Sequence, residues 1–286
     1  MADMKIVLKF LICVLLLLPA AALRANSRAR VEAMEYPWSS VGRLNVAGRQ
    51  YCTGVLVDER HILTAAHCLW NRVTRDWWPA SSVHFIPGYQ GGEASLHSLV
   101  RFYAVADGWK PGRLEEDWAV AELEEPLGRI AGWAGIGKPA DLTAPLGQLG
   151  YRMESPHAMS FDYGCKPVSS DPRMLWTDCE AAHGDSGGPI FAFLADGPRL
   201  VGITVAIGQR DGHPVTAAVA APALFDAVRY ANAAKIMAGI GHGAGHGPQP
   251  GGPVTPEPVV TVPELAKGKA AAPTLPGLAK LLGEAR

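Results

Sequence analysis

The sequence predicts an all-β protein in two halves, with one helix after the second. Three observations carry this. Short runs rich in β-branched, aromatic and aliphatic residues recur with turn signals about every eight to twelve residues. A stretch from about Gly132 to Gly147, mostly Gly, Pro and Ala, separates two sets of such runs. Only Pro222 to Ala238 has a helical stripe, of Leu224, Phe225, Val228, Ala231 and Ile236, with Pro222 near its start.

Taken in order, residues 1–25 read as an export signal. Lys5 and Lys9 flank the start of an apolar run, Phe10 to Leu18, followed by Pro19 and small residues to Ala22. Cleavage after Ala22 or Ala25 suits the small-residue rule. A membrane anchor is the competing reading, but Phe10 to Leu23 is shorter than the roughly 20 residues a spanning helix needs. The first half, 26–135, opens on an Arg-rich stretch ending at Val31. Its expected strands are Ser39 to Val46, Tyr51 to Val57, His61 to Thr64, Ser82 to Ile86, Leu99 to Val105 and the apolar run that Asp117 opens. The second half, 136–240, is expected to place strands at Gln148 to Arg152, His157 to Tyr163, Pro189 to Leu194, Arg199 to Ile207 and Pro214 to Ala220. Residues 241–286 are dominated by Gly, Pro, Ala and Thr, a composition with little to pack, and read as a disordered tail.

The 286 residues, 48% hydrophobic, suffice for one large core or two modest ones. Lys and Arg (26) nearly balance Asp and Glu (27), so nothing in the charge suggests a nucleic-acid partner. Of five cysteines, Cys13 leaves with the signal. Cys52, Cys68, Cys165 and Cys179 remain, an even set suited to disulfides in an exported chain. Three pairings are possible on paper. Joining sequence neighbours, Cys52 to Cys68 and Cys165 to Cys179, closes loops of about fifteen residues, each contributing on the order of 3 kcal/mol. A metal site is disfavoured because no paired C-x-x-C spacing is present.

The chemistry centres on Gly184-Asp185-Ser186-Gly187-Gly188-Pro189. Glycines on both sides of a serine allow a tight turn that exposes its hydroxyl and lets a substrate approach the backbone. The amides of Gly184 and Ser186 could then form an oxyanion site beside the nucleophile. A plain turn between strands is the bland alternative, and the G-x-S-x-G pattern also fits the α/β-hydrolase nucleophile elbow. Serine needs a base, and the base needs an orienting group. His67, in Leu63-Thr64-Ala65-Ala66-His67-Cys68, ends an apolar strand among small residues; Asp117 begins one. Each has an ordinary structural reading on its own. In α/β-hydrolases the serine precedes acid and histidine, whereas here His67 and Asp117 both precede Ser186.

Together these stretches, with Asp117-Trp118-Ala119-Val120, resemble the chymotrypsin-like (trypsin-like) serine proteases from about Val31 to Ala238. The resemblance implies two six-stranded antiparallel β-barrels followed by a C-terminal α-helix, and a disulfide beside the catalytic histidine. It implies a triad of Ser186 as nucleophile, His67 as base and Asp117 as orienting acid, with the Gly184 and Ser186 amides as oxyanion hole. It also implies activation in which a new terminus at Val31, released by a cut after Arg30, pairs with Asp185. Val31-Glu32-Ala33-Met34 departs from the family's usual terminus. The primary pocket would draw on Glu180, Ala181, His183, Thr204, Val205 and Ile207. Bacterial glutamyl endopeptidases are the nearer comparison within the family, but Ala181 and Thr204 stand where those enzymes carry threonine and histidine. Glutamate preference is therefore not expected, and Glu180 would favour a basic side chain only if it faced the pocket. The expectation is a secreted or periplasmic monomeric endopeptidase acting on polypeptides, without cofactor, metal, nucleic acid or lasting membrane insertion. A catalytically silent homologue that binds or scaffolds is the rival.

Overall fold

A computed structural model describes residues 29–238. The expected signal and the tail from 241 onward lie outside them. The first half contains β1 (Ala29–Arg30), β2 (Val41–Val46), β3 (Gln50–Leu56), β4 (His61–Thr64), β5 (Trp70–Asn71), β6 (Asp76–Trp77), β7 (Val83–Pro87), β8 (Ser98–Val105) and β9 (Ala119–Leu123). The short helix α1 (Gly128–Ala131) leads to the second half. There lie β10 (Gly135–Ile136), β11 (Leu146–Gly150), β12 (Ser160–Cys165), β13 (Pro167–Ser170), β14 (Met174–Thr177), β15 (Pro189–Leu194), β16 (Gly197–Arg210) and β17 (His213–Ala220), and then the helix α2 (Ala221–Ala238).

Six strands of the first half close a barrel in the order β2-β3-β4-β9-β8-β7. Closure needs side chains of matching size inside. Leu44, Leu63, Phe85 and Leu123 are fully buried, and Gly42 stands where any Cβ would collide with the Phe85 ring. The second half runs β1-β12-β11-β15-β16-β17-β14-β13, with β10 added in parallel against β16. It is a curled half-barrel, open between β1 and β13, where the resemblance implied a second closed barrel. Strand β13 was not foreseen, because Pro167, Ser169 and Ser170 hide the alternation on which a strand reading depends, and β14, only four residues long, was not foreseen either. Ser39 and Ser40, expected to open the first strand, belong instead to a 3-10 turn, Trp38–Ser40, before β2.

Helix α2 follows the expected range but turns its stripe. Leu224, Ala227 and Val228 face inward at i, i+3 and i+4, whereas Phe225 is 52% exposed. The helix packs on β16 and β17, and also reaches β8 and β9 of the closed barrel. Both disulfides join sequence neighbours, Cys52 to Cys68 with Cα atoms 6.1 Å apart and Cys165 to Cys179 at 4.9 Å.

On the barrel exterior, His84 Nδ1 of β7 and His97 Nε2 beside β8 approach to 2.7 Å. Burial, and then the neighbouring imidazole, holds the His84 pKa below its ordinary value. The folded chain therefore binds fewer protons than the unfolded one as pH falls through about 6.5, and stability drops with it. His97→Gln should flatten the pH dependence of the denaturant midpoint between pH 7.5 and 5.5; an unchanged slope would contradict this.

Candidate active site

Strand pairing brings the acid to the imidazole. Register between β4 and β9 sets Thr64 against Ala119, so the residues just past these ends, His67 and Asp117, meet at one rim of the barrel. His67 lies in a 3-10 turn, Ala66–Leu69, pinned by the Cys52–Cys68 bridge. Its backbone amide donates to Asp117 Oδ1 at 2.8 Å and its Nδ1 to Oδ2 at 2.6 Å. Bonding at Nδ1 leaves Nε2 unprotonated in the neutral ring, as a base requires. Trp109 Nε1 adds a third donor to the carboxylate, reaching Oδ1 at 3.2 Å. The side chain of Asp117 is 8% exposed and that of His67 23%.

The serine turn depends on its glycines. Gly184 has φ +97° and Gly187 φ +78°, and a Cβ on either would strike a backbone oxygen, of Tyr151 or Thr53 respectively. Both halves grip this turn. From β3, the Thr53 amide donates to the Ser186 carbonyl (2.8 Å) and the Thr53 hydroxyl to the Gly184 carbonyl (2.9 Å). From β16, the Thr204 carbonyl accepts from Gly187 (2.7 Å) and the Thr204 amide donates to Gly188 (2.8 Å). Among the described residues, neither the Gly184 nor the Ser186 amide has an acceptor. His67 and Ser186 line the same cleft of about 780 Å³ but do not hydrogen-bond to each other.

The sequence model of the family described as Trypsin matches residues 27–228. The chain belongs to the trypsin family. It is 28% identical to Serine protease 23 of Mus musculus over 204 residues, 63% of this chain and 52% of that protein. It is 22% identical to Glutamyl endopeptidase of Bacillus licheniformis over 171 residues, 58% of this chain and 53% of that protein. The chain thus spans about half the length of these relatives. A solved structure described as "Structure of Glu endopeptidase in complex with MPD" superposes with a TM-score of 0.63 at 22% identity, covering 72% of this chain and 96% of that one. That likeness concerns the fold.

Measured against trypsin-family expectations, the expected pocket residues separate. His183, Thr204, Val205 and Ile207 line the cleft, joined by Ala182 and Ala206. Glu180 and Ala181 are not among its lining residues. The Glu180 side chain is exposed, while its amide donates to Asp162 and its carbonyl accepts from Arg152 Nη2 at 2.7 Å.

Asp185 is fully buried, under Gly150, where any Cβ would overlap its carboxylate. Its Oδ2 accepts from the Ala182 amide at 2.9 Å and lies 3.5 Å from Arg152 Nε. The acid expected to meet a new terminus thus has an internal guanidinium beside it. Val31 is buried, directly after β1, which pairs with β12.

Two groupings of potential metal ligands, Cys52-His67-Cys68 and Asp162-Cys165-Cys179, each contain a disulfide whose sulfurs are already bonded. Sequence reasoning missed Thr53, Trp109 and Arg152. A threonine and an arginine in unremarkable contexts carry no local signal for contacts made 131 and 33 positions away, whereas Trp109 stands only eight positions before Asp117.

Proposed function

We propose that the chain is an exported serine endopeptidase that cuts polypeptides through an acyl-enzyme on Ser186. The observation that supports this most is the doubly bonded His67–Asp117 pair, sharing a cleft with a serine flanked by uncommitted amides. In this reading His67 Nε2 takes the Ser186 proton as Oγ attacks the carbonyl. The Gly184 and Ser186 amides stabilise the oxyanion, and the imidazolium then protonates the leaving amine. Water repeats the sequence to release the acid. Apolar lining at Ala182, Val205 and Ala206 favours an uncharged side chain against that wall of the cleft, opposite the His67 side. Export agrees with two disulfides, and no described helix is long and apolar enough to cross a membrane. We read the protein as a monomer of two domains, 26–135 and 136–240, without metal or cofactor.

A fluorophosphonate probe tests the reading: labelling should occur at Ser186 and vanish in Ser186→Ala. The missing hydrogen bond between His67 and Ser186 favours a second reading, a silent homologue, and absence of labelling would establish it. Catalytic hydrogen bonds are often loose without substrate, so the enzyme reading stands first.

Because Arg152 already lies against Asp185, the site is assembled without a cut after Arg30, in place of the Val31 terminus expected from the resemblance. Arg30→Gln should keep full labelling; a silent variant would restore the cleavage requirement.

Trp109 acts here as a positioning residue. Trp109→Phe keeps the ring but removes the donor to Asp117. With one donor fewer, the carboxylate and the imidazole it orients are less firmly placed, so kcat should fall a few-fold with KM little changed. An unchanged kcat would reduce Trp109 to packing.

A further inference from the structure

Strands β5 and β6 form a hairpin on the His67 side of the cleft, pairing Trp70 with Trp77 and Asn71 with Asp76. Its base is rigid. The Trp70, Trp77 and Trp109 rings pack against one another at centroid distances of 4.8 to 5.4 Å. Its tip is pinned, because Asn71 Oδ1 accepts from the Val73 and Thr74 amides and the Asn71 carbonyl from the Arg75 amide at 2.8 Å.

This tip brings two arginines to the site. Arg72 and Arg75 line the same cleft as His67 and Ser186, and both are exposed. Among the described residues neither forms an ion pair or a side-chain hydrogen bond. Several other surface arginines are engaged, Arg113 with Glu115 and Glu116, Arg129 with Glu59, and Arg199 with Asp196, whereas Arg72 and Arg75 are set apart by lying on the cleft wall. The neighbouring acid, Asp76, spends Oδ1 on the Trp77 amide, and Asp117 is held by His67. Arg75 also sits at φ +56°, a conformation that non-glycine residues adopt at a cost. The cleft wall therefore carries two permanent positive charges that form no ion pair among the described residues, on a fixed support.

We propose that Arg72 and Arg75 form a subsite for an acidic side chain of the polypeptide substrate, beside the bond that Ser186 attacks. The inference rests on the peptidase reading and deepens it by naming a substrate class. A guanidinium fork matches a carboxylate in bidentate geometry and stays charged at every working pH. Because both side chains are exposed, salt screens the attraction and the effect is moderate.

The test uses fluorogenic peptides in which Asp, Asn and Lys are scanned through each position on both sides of the scissile bond. Intact wild-type chain, Arg72→Ser/Arg75→Ser and Arg72→Glu/Arg75→Glu are compared, each first checked for fluorophosphonate labelling of Ser186. At low salt the wild type should prefer Asp over Lys about tenfold at one or two positions, mainly through KM, and half a molar salt should erode the preference. The serine pair should abolish it and the glutamate pair reverse it. If all three proteins are labelled and cut peptides with the same profile, the subsite is overturned and the peptidase stands. If none is labelled and nothing is cut, the reading beneath it falls as well.

Discussion

Replacing Asp117 by asparagine is expected to lower kcat on the order of 10⁴-fold at neutral pH while the protein stays folded. The reason lies in which atoms the carboxylate serves. Oδ1 accepts from the His67 amide and from Trp109 Nε1, and Oδ2 accepts from His67 Nδ1. Asparagine has one acceptor and one donor end. Two donors at the Oδ1 position require the amide oxygen there, so the NH₂ group faces His67 Nδ1. The imidazole must then offer Nδ1 as acceptor and carry its proton on Nε2, the atom that should receive the proton of Ser186. Volume and most hydrogen bonds are kept, so the melting temperature should move little. Steady-state kinetics beside a thermal melt would check this, and a loss below about tenfold would remove Asp117 from the mechanism.

Arg152→Met is expected to destabilise the protein by about 3 kcal/mol and to abolish Ser186 labelling. The Asp185 carboxylate has no exposed surface, and the Arg152 side chain beside it is 16% exposed. Removing the guanidinium leaves a desolvated negative charge short of its counter-charge, and also deprives the Glu180 carbonyl of a donor. In a domain of this size that corresponds to a fall of roughly 6–12 °C in Tm. Local relief is cheaper than global unfolding, so the 180–186 turn should deform first and carry the two oxyanion amides out of place. Adding Asp185→Asn removes the charge itself, and the double variant should regain much of the lost stability. A single variant as stable and as reactive as wild type would show that the pair contributes nothing.

The sequence made the serine turn, the histidine and the acid legible because each sits in a local pattern that chemistry restricts: glycines around Ser186, small residues before His67, an apolar strand after Asp117. The barrel strands were legible for a similar reason, since β3, β4 and β9 are short apolar runs bounded by turns. What stayed hidden was nonlocal. Thr53 looks like any strand threonine until folding sets it under the Ser186 turn, and Arg152 gains its meaning only when Asp185 is buried beside it. Openness of the second sheet was equally invisible, because closure depends on whether two distant edge strands meet. Glu180 illustrates the same limit: the sequence offered a role only if its side chain faced the pocket, and its exposure comes from the fold.

The nucleophile's loop belongs to neither half alone, being tied to Thr53 on one side and Thr204 on the other. For the proposed peptidase, reactivity and tertiary integrity would therefore be a single property: on titration with denaturant, loss of probe reactivity should track separation of the halves, with no window in which a loosened but intact pair of folds still reacts.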